Sequence, residues 1–142
     1  MKIEDIVRKK GPAVVTISAT ATIAELVDLL GEHNIGGVVV SADGQHIDGI
    51  ITERDVVRHL ASEGASVLQR TVGELMTSQV LTGKPEDTLE ETAHTMTYSR
   101  IRHLPVTRDG ELAGIVSIGD VVKYRIDQLT DERNHLLEYL HT

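Results

Sequence analysis

A hydroxyl residue and an aspartate three positions apart close an apolar run twice in this chain. They are Thr52 and Asp55 in Gly49-Ile50-Ile51-Thr52-Glu53-Arg54-Asp55, and Ser117 and Asp120 in Gly114-Ile115-Val116-Ser117-Ile118-Gly119-Asp120. Both phrases run on into Val-Val, Val56-Val57 and Val121-Val122. If each apolar run is a strand and the hydroxyl residue opens a helix, the first helical amides are free and the dipole is positive there. Such an end attracts phosphate. The hydroxyl adds a bond to the phosphate, and the aspartate, one turn on, suits the two vicinal hydroxyls of a ribose. The same spacing is also a helix capping box, in which hydroxyl and acid satisfy each other's amides. Two features favour a ligand corner. Both copies carry Asp where Glu is the usual partner, and both place Gly at the strand start, where the backbone can be closely approached.

The two copies differ in charge. Copy one has Glu53-Arg54 where copy two has Ile118-Gly119, and Gly36-Gly37-Val38-Val39 where copy two has Arg102-His103-Leu104-Pro105. The cationic groups are Arg54 from one copy and Arg102 and His103 from the other. In a pseudo-twofold pair they converge on phosphates in a central cleft; read blandly, they are solvated loop residues. The apolar strands around Ile35 and Val38, and around Ile101 and Leu104, can sandwich a flat base without aromatic side chains.

The elements that must position these groups repeat as well. Sliding the chain along itself places Val14 on Val80, Thr16 on Thr82, Thr22 on Thr88, Glu25 on Glu91, Ile35 on Ile101 and Asp43-Gly44 on Asp109-Gly110. Copy two then drops one residue, a change that a hairpin turn tolerates. Each copy reads β-α-β-β-α. Thr22 with Glu25 and Thr88 with Glu91 open helices as capping boxes. Ile23, Leu26, Val27 and Leu30 lie at helical spacing, and Val38-Val39-Val40 reads as a buried strand. The fold class expected is therefore α+β (mixed α/β): two repeats stacked sheet to sheet around one common core, with clefts where they meet. The boundaries are 1–70 for repeat one with a leading helix, 71–126 for repeat two, and 127–142 for a C-terminal helical extension. Val122, Leu129 and Leu136 recur every seventh residue along that last helix, with Ile126 and Leu140 beside them. This seam either packs back on its own domain or contacts a second subunit.

Composition excludes several classes. The 142 residues are 40% hydrophobic but only 2% aromatic, which leaves few platforms for stacking bases of single-stranded nucleic acid. The net charge of −8 repels nucleic acid and anionic membranes. The chain has no cysteine, hence no disulfide and no thiolate metal site. Its seven histidines do not pair at His-x-x-x-His spacing, so no metal is expected. No stretch resembles a signal peptide or a membrane span, and a soluble cytoplasmic protein is the expectation.

With both phrases, the Val72–Thr77 entry and Ile-Arg-His-Leu-Pro-Val (Ile101–Val106) in register, the chain resembles a tandem pair of CBS domains from about Ile3 to Ile126. The resemblance implies a regulatory module, not an enzyme, that binds adenosine ligands such as AMP, ADP, ATP, NAD(H) or S-adenosylmethionine. It implies a homodimer of pairs and an unidentified regulated protein. Carried over residue by residue, one site comprises Thr16, Ile35, Gly36, Gly37, Val38, Thr52, Arg54 and Asp55. The other comprises Thr82, Ile101, Arg102, His103, Leu104, Pro105, Ser117, Ile118 and Asp120. Copy one lacks the family's proline at Val39. The alternative is a structural module whose corners are caps alone.

Overall fold

The computed structural model of the protein describes residues 1–141. In the first half, helix α1 (Ile3–Lys10) precedes strand β1 (Thr16–Ile17), helix α2 (Ile23–His33), strands β2 (Gly37–Val40) and β3 (Gly49–Thr52), and helix α3 (Glu53–Glu63). A 3₁₀ turn (Gly64–Gln69) and the short helix α4 (Val72–Leu75) follow. The second half holds α5 (Leu89–Tyr98), β4 (His103–Arg108), β5 (Glu111–Ser117) and the long helix α6 (Ile118–His141).

Local chemistry sets these bounds. The Thr22 hydroxyl accepts from the Glu25 amide at 3.1 Å, and α2 ends where Asn34 turns left-handed at φ 51°. Thr88 and Glu91 form the reciprocal box at the start of α5, with bonds of 3.1 and 3.2 Å. Asp109 and Gly110 both take positive φ between the paired residues Arg108 and Glu111, the two-residue turn whose twist matches antiparallel strands. Copy one has a longer loop instead. The Asp43 carboxylate there accepts the Gln45 and His46 amides at 2.8 Å each, and β3 starts only at Gly49.

β1 lies parallel to β2, and β2 is antiparallel to β3. In copy two the expected first strand shrinks to one bridge. The Gly83 amide donates to the Pro105 carbonyl, and the Gly83 carbonyl accepts from the Thr107 amide.

Packing departs from the expected common core. Two apolar clusters form, one per sheet, and each takes in a helix from beyond its own repeat as the sequence divides them. Val72 and Leu75 of α4 join Ile23, Leu26, Val38, Val40 and Ile51 in the first cluster. Ile3 and Ile6 of α1 join Leu89, Met96, Leu104, Val106 and Val116 in the second. The division after residue 70 thus separates the chain and not the packing: the leading helix, assigned to repeat one, completes core two. Each fully buried aliphatic side chain contributes about 1.5–3 kcal/mol, so each borrowed helix matters to the core it enters.

This exchange also explains the glycine of the repeated phrase. A Cβ on Gly49 would lie 2.6 Å from Met76 Sδ and 2.8 Å from the Thr77 carbonyl oxygen, and one on Gly114 would lie 2.7 Å from Val7 Cγ1. The body that approaches the strand is the exchanged segment, not a ligand.

Between the sheets, the Gly37 backbone lies under the His103 ring, and the Leu112 amide donates to the Gln45 carbonyl at 2.7 Å. α6 packs on α5, where Arg125 meets Glu90 at 3.0 Å. From Leu129 to His141 it is exposed throughout, so the seam does not fold back on its own domain.

Candidate functional site

Both hydroxyl–aspartate pairs form caps. At corner one, the start of α3, the Asp55 amide reaches the Thr52 hydroxyl at 3.4 Å, and Asp55 Oδ2 accepts from the Thr52 amide at 2.9 Å and its hydroxyl at 3.2 Å. At corner two, the start of α6, the corresponding bonds between Ser117 and Asp120 are 2.9 and 3.1 Å. The first helical amide is also taken at each corner. Glu53 donates to the Gly36 carbonyl at 2.9 Å and Ile118 to the Arg102 carbonyl at 2.8 Å. The expectation of free amides is corrected accordingly: the backbone has little left for a phosphate, and these two bonds instead pin each corner to the loop before its partner strand.

Corner one opens on a cavity of about 260 Å³ between the repeats. Copy one supplies Gly36, Ile50, Thr52, Glu53, Arg54, Asp55 and Arg58 to its wall, and copy two supplies Arg100, Ile101, Arg102 and His103. Thr77, Gln79, Val80 and Leu81 close the third side. Thr77 is held there because it exchanges two 2.9 Å backbone bonds with Ile50. All protein bonds to the Asp55 carboxylate go to Oδ2, and Oδ1 remains for a ligand. Chemically, the cavity offers a carboxylate oxygen, a hydroxyl and four guanidinium groups beside Ile50, Ile101 and Val80.

His103 stands where the repeats meet. Its Nδ1 is buried and unbonded. Burial lowers its pKa below the usual histidine value, opposed by the Glu53 charge. The neutral ring is therefore favoured.

Corner two is closed from within. Lys10 Nζ donates to Asp120 Oδ2 at 2.7 Å and to the Ile115 carbonyl at 2.9 Å. Lys10 reaches this point because α1 has eight residues where its counterpart α4 has four. Burial pushes the Asp120 carboxyl up, but the bonds from Lys10 and the Ser117 amide, with the Lys10 charge, outweigh it and hold the pKa below the ordinary value.

The expected site residues are thus redistributed. Arg54, Arg102 and His103 do converge, and they do so with Thr52, Asp55, Gly36 and Ile101 in one cavity drawn from both repeats. Thr16 pairs with Val39 in β1, and neither it nor Thr82 is on the cavity wall. Val38 and Leu104, expected against a base, are buried in the two cores, Ile35 and Ile118 pack against those cores, and Pro105 is buried. Gly37 serves as the floor beneath His103. Arg58, Arg100 and Gln79 were not foreseen. Arg58 lies one turn after Arg54, and that spacing was the available signal. Among the described residues, no group of three or more His, Asp or Glu is placed to hold a metal, and no helix is long and apolar enough to cross a membrane.

A family model for the CBS domain matches residues 3–62 and 72–127. The mitochondrial CBS domain-containing protein CBSX3 of Arabidopsis thaliana is 34% identical over 97% of this chain and 71% of its own length. The crystal structure of the CBS-domain containing protein ATU1752 from Agrobacterium tumefaciens superposes with a TM-score of 0.84 at 44% identity, covering 88% of this chain and 99% of that one. The CBS domain pair of protein MJ0100, solved in complex with 5′-methylthioadenosine and S-adenosyl-L-methionine, has a TM-score of 0.79 at 25% identity, covering 90% and 98%.

Proposed function

The chain belongs to the CBS-domain family, and from that premise we propose that it is a regulatory module that binds an adenosine ligand at corner one and passes the occupancy to a partner protein. The observation that carries this reading is the shared cavity, in which the Thr52–Asp55 corner of one repeat faces Ile101–His103 of the other. A ligand there touches both repeats, so binding changes how they sit together. Asp55 Oδ1 takes the ribose hydroxyls, the arginines take phosphate, with the Thr52 hydroxyl turning from Asp55 Oδ2 to donate to it, and Ile101 with Ile50 and Val80 take the base. The family resemblance supports AMP, ADP, ATP, NAD(H) or S-adenosylmethionine as the set to test, and the complex of MJ0100 supports an adenosine moiety.

The exposed seam of Val122, Ile126, Leu129, Leu136 and Leu140 supports a homodimer, with the regulated protein reached through that assembly. The Lys10–Asp120 contact favours a second, narrower reading for corner two alone: a structural cap with no ligand.

A thermal-shift panel of the five ligands tests the proposal, because a ligand that binds only the folded chain raises its stability with concentration. Stabilisation by one or more supports it, and a flat panel at millimolar ligand rejects it.

A further inference from the structure

Resting on the nucleotide reading just given, we infer that the corner-one cavity selects adenosine ligands bearing two or more phosphates, and that Arg54, Arg58, Arg100 and Arg102 select them. All four line the cavity, which contains no lysine. None of their side chains has a hydrogen-bond or ion-pair partner among the described residues. Elsewhere Arg8, Arg70 and Arg125 are paired with Asp5, with Glu63 and Glu74, and with Glu90. Four unpaired guanidinium groups around one cavity repel one another, and in a chain of net charge −8 their gathering is not a consequence of composition. Planar guanidinium groups match phosphate oxygens two bonds at a time, which a lysine does not.

The placement of the four argues for length. The backbone end of α3 is mostly spent, since the Glu53 and Asp55 amides are already bonded. A phosphate beside the Thr52 hydroxyl therefore depends on side chains. Arg54 and Arg58 lie one turn apart on the same face of α3, about 6 Å along its axis. Arg100 and Arg102 come from the α5–β4 connection of the other repeat, where Arg100 is turned left-handed at φ 55°. With the ribose at Asp55 and the first phosphate at Thr52, Arg58, one turn further along α3, is left for a second phosphate. Charge points to phosphate as such: four guanidinium groups face the carboxylates of Glu53 and Asp55, and a phosphate offsets the cationic excess that remains. A sulfonium group or an uncharged 5′ substituent meets the excess with no compensation.

Calorimetry at fixed ionic strength with ADP, ATP, AMP and 5′-methylthioadenosine tests this. The expected result is ADP and ATP about tenfold or more tighter than AMP, with 5′-methylthioadenosine weakest. In the double variant Arg58→Gln/Arg100→Gln the preference for ADP over AMP should collapse. AMP binding as tightly as ADP, or a preference that survives in the double variant, overturns the phosphate inference and leaves the nucleotide reading intact. Failure of all four compounds to bind overturns the phosphate inference, and a flat five-ligand thermal-shift panel beside it overturns the nucleotide reading as well.

Discussion

Corners one and two share a hydroxyl, an aspartate and the start of a helix, yet only one of them is open. At corner one the segment after α4 stays clear of Asp55, and a cavity lies in front of it. At corner two the extra turn of α1 carries an ammonium group onto Asp120. Identical capping chemistry therefore does not decide which corner is open. What arrives from the exchanged helix decides it, and the difference is only one helical turn.

The largest expected effect comes from the aspartates. Charge-assisted bonds to two ribose hydroxyls contribute about 1.5–3 kcal/mol each. Asp55→Ala should thus weaken adenosine-ligand binding by roughly a hundredfold or more by calorimetry, while Asp120→Ala leaves the affinity unchanged. Equal losses in both would erase the distinction between the corners. Next come the glycines. Gly49→Ala pushes a methyl group against a fixed carbonyl, and Gly114→Ala pushes it against a valine side chain that can shift. Both should lower stability, by about 1–3 kcal/mol, with Gly49 the worse. Urea unfolding would show it, and the reverse order would mean that the α1 contact is the tighter one.

Lys10→Ala removes a partly exposed ion pair, so its stability cost should be small, about 0.2–1 kcal/mol. Its informative effect is on stoichiometry: if Lys10 alone closes corner two, a second and weaker binding event appears in the calorimetric titration. The smallest effect concerns pH. A histidine whose pKa is lowered by folding favours the native state above its unfolded value of 6.5, and that contribution is lost as pH falls through the lower folded value. The melting temperature should accordingly fall less between pH 7 and pH 5 in His103→Gln than in the wild type. Parallel pH profiles would show that His103 charges freely where the repeats meet.

Much of the architecture was legible because it is local. Thr88 with Glu91, Asp109-Gly110 and the apolar runs in each copy carry their own instructions, and duplication doubled the signal. The convergence of Arg54 with Arg102 and His103 was legible from pseudo-symmetry. Three things were not. Ile3 and Ile6 announce an amphipathic helix but not which sheet will cover it, since both sheets offer an aliphatic face. Lys10 follows from that choice and was hidden with it. Arg58 and Arg100 look like ordinary solvated charges until the two repeats approach. Copy two's first strand is reduced because Val80-Leu81-Thr82 has the composition of a strand while only Gly83 reaches β4.

The borrowed helices also impose an order of events on synthesis. Val72 and Leu75 emerge soon after the sheet they cover, so the first core can close while the chain is still growing. Ile3 and Ile6 leave the ribosome first but find their sheet only when β5 and the start of α6 have emerged. Through most of translation this apolar helix has no place to dock and is exposed to aggregation or chaperone capture. The distant pairing also makes the second half the slower one to fold. Removal of α1 or of β5 with α6 should therefore unmake the second core and spare the first.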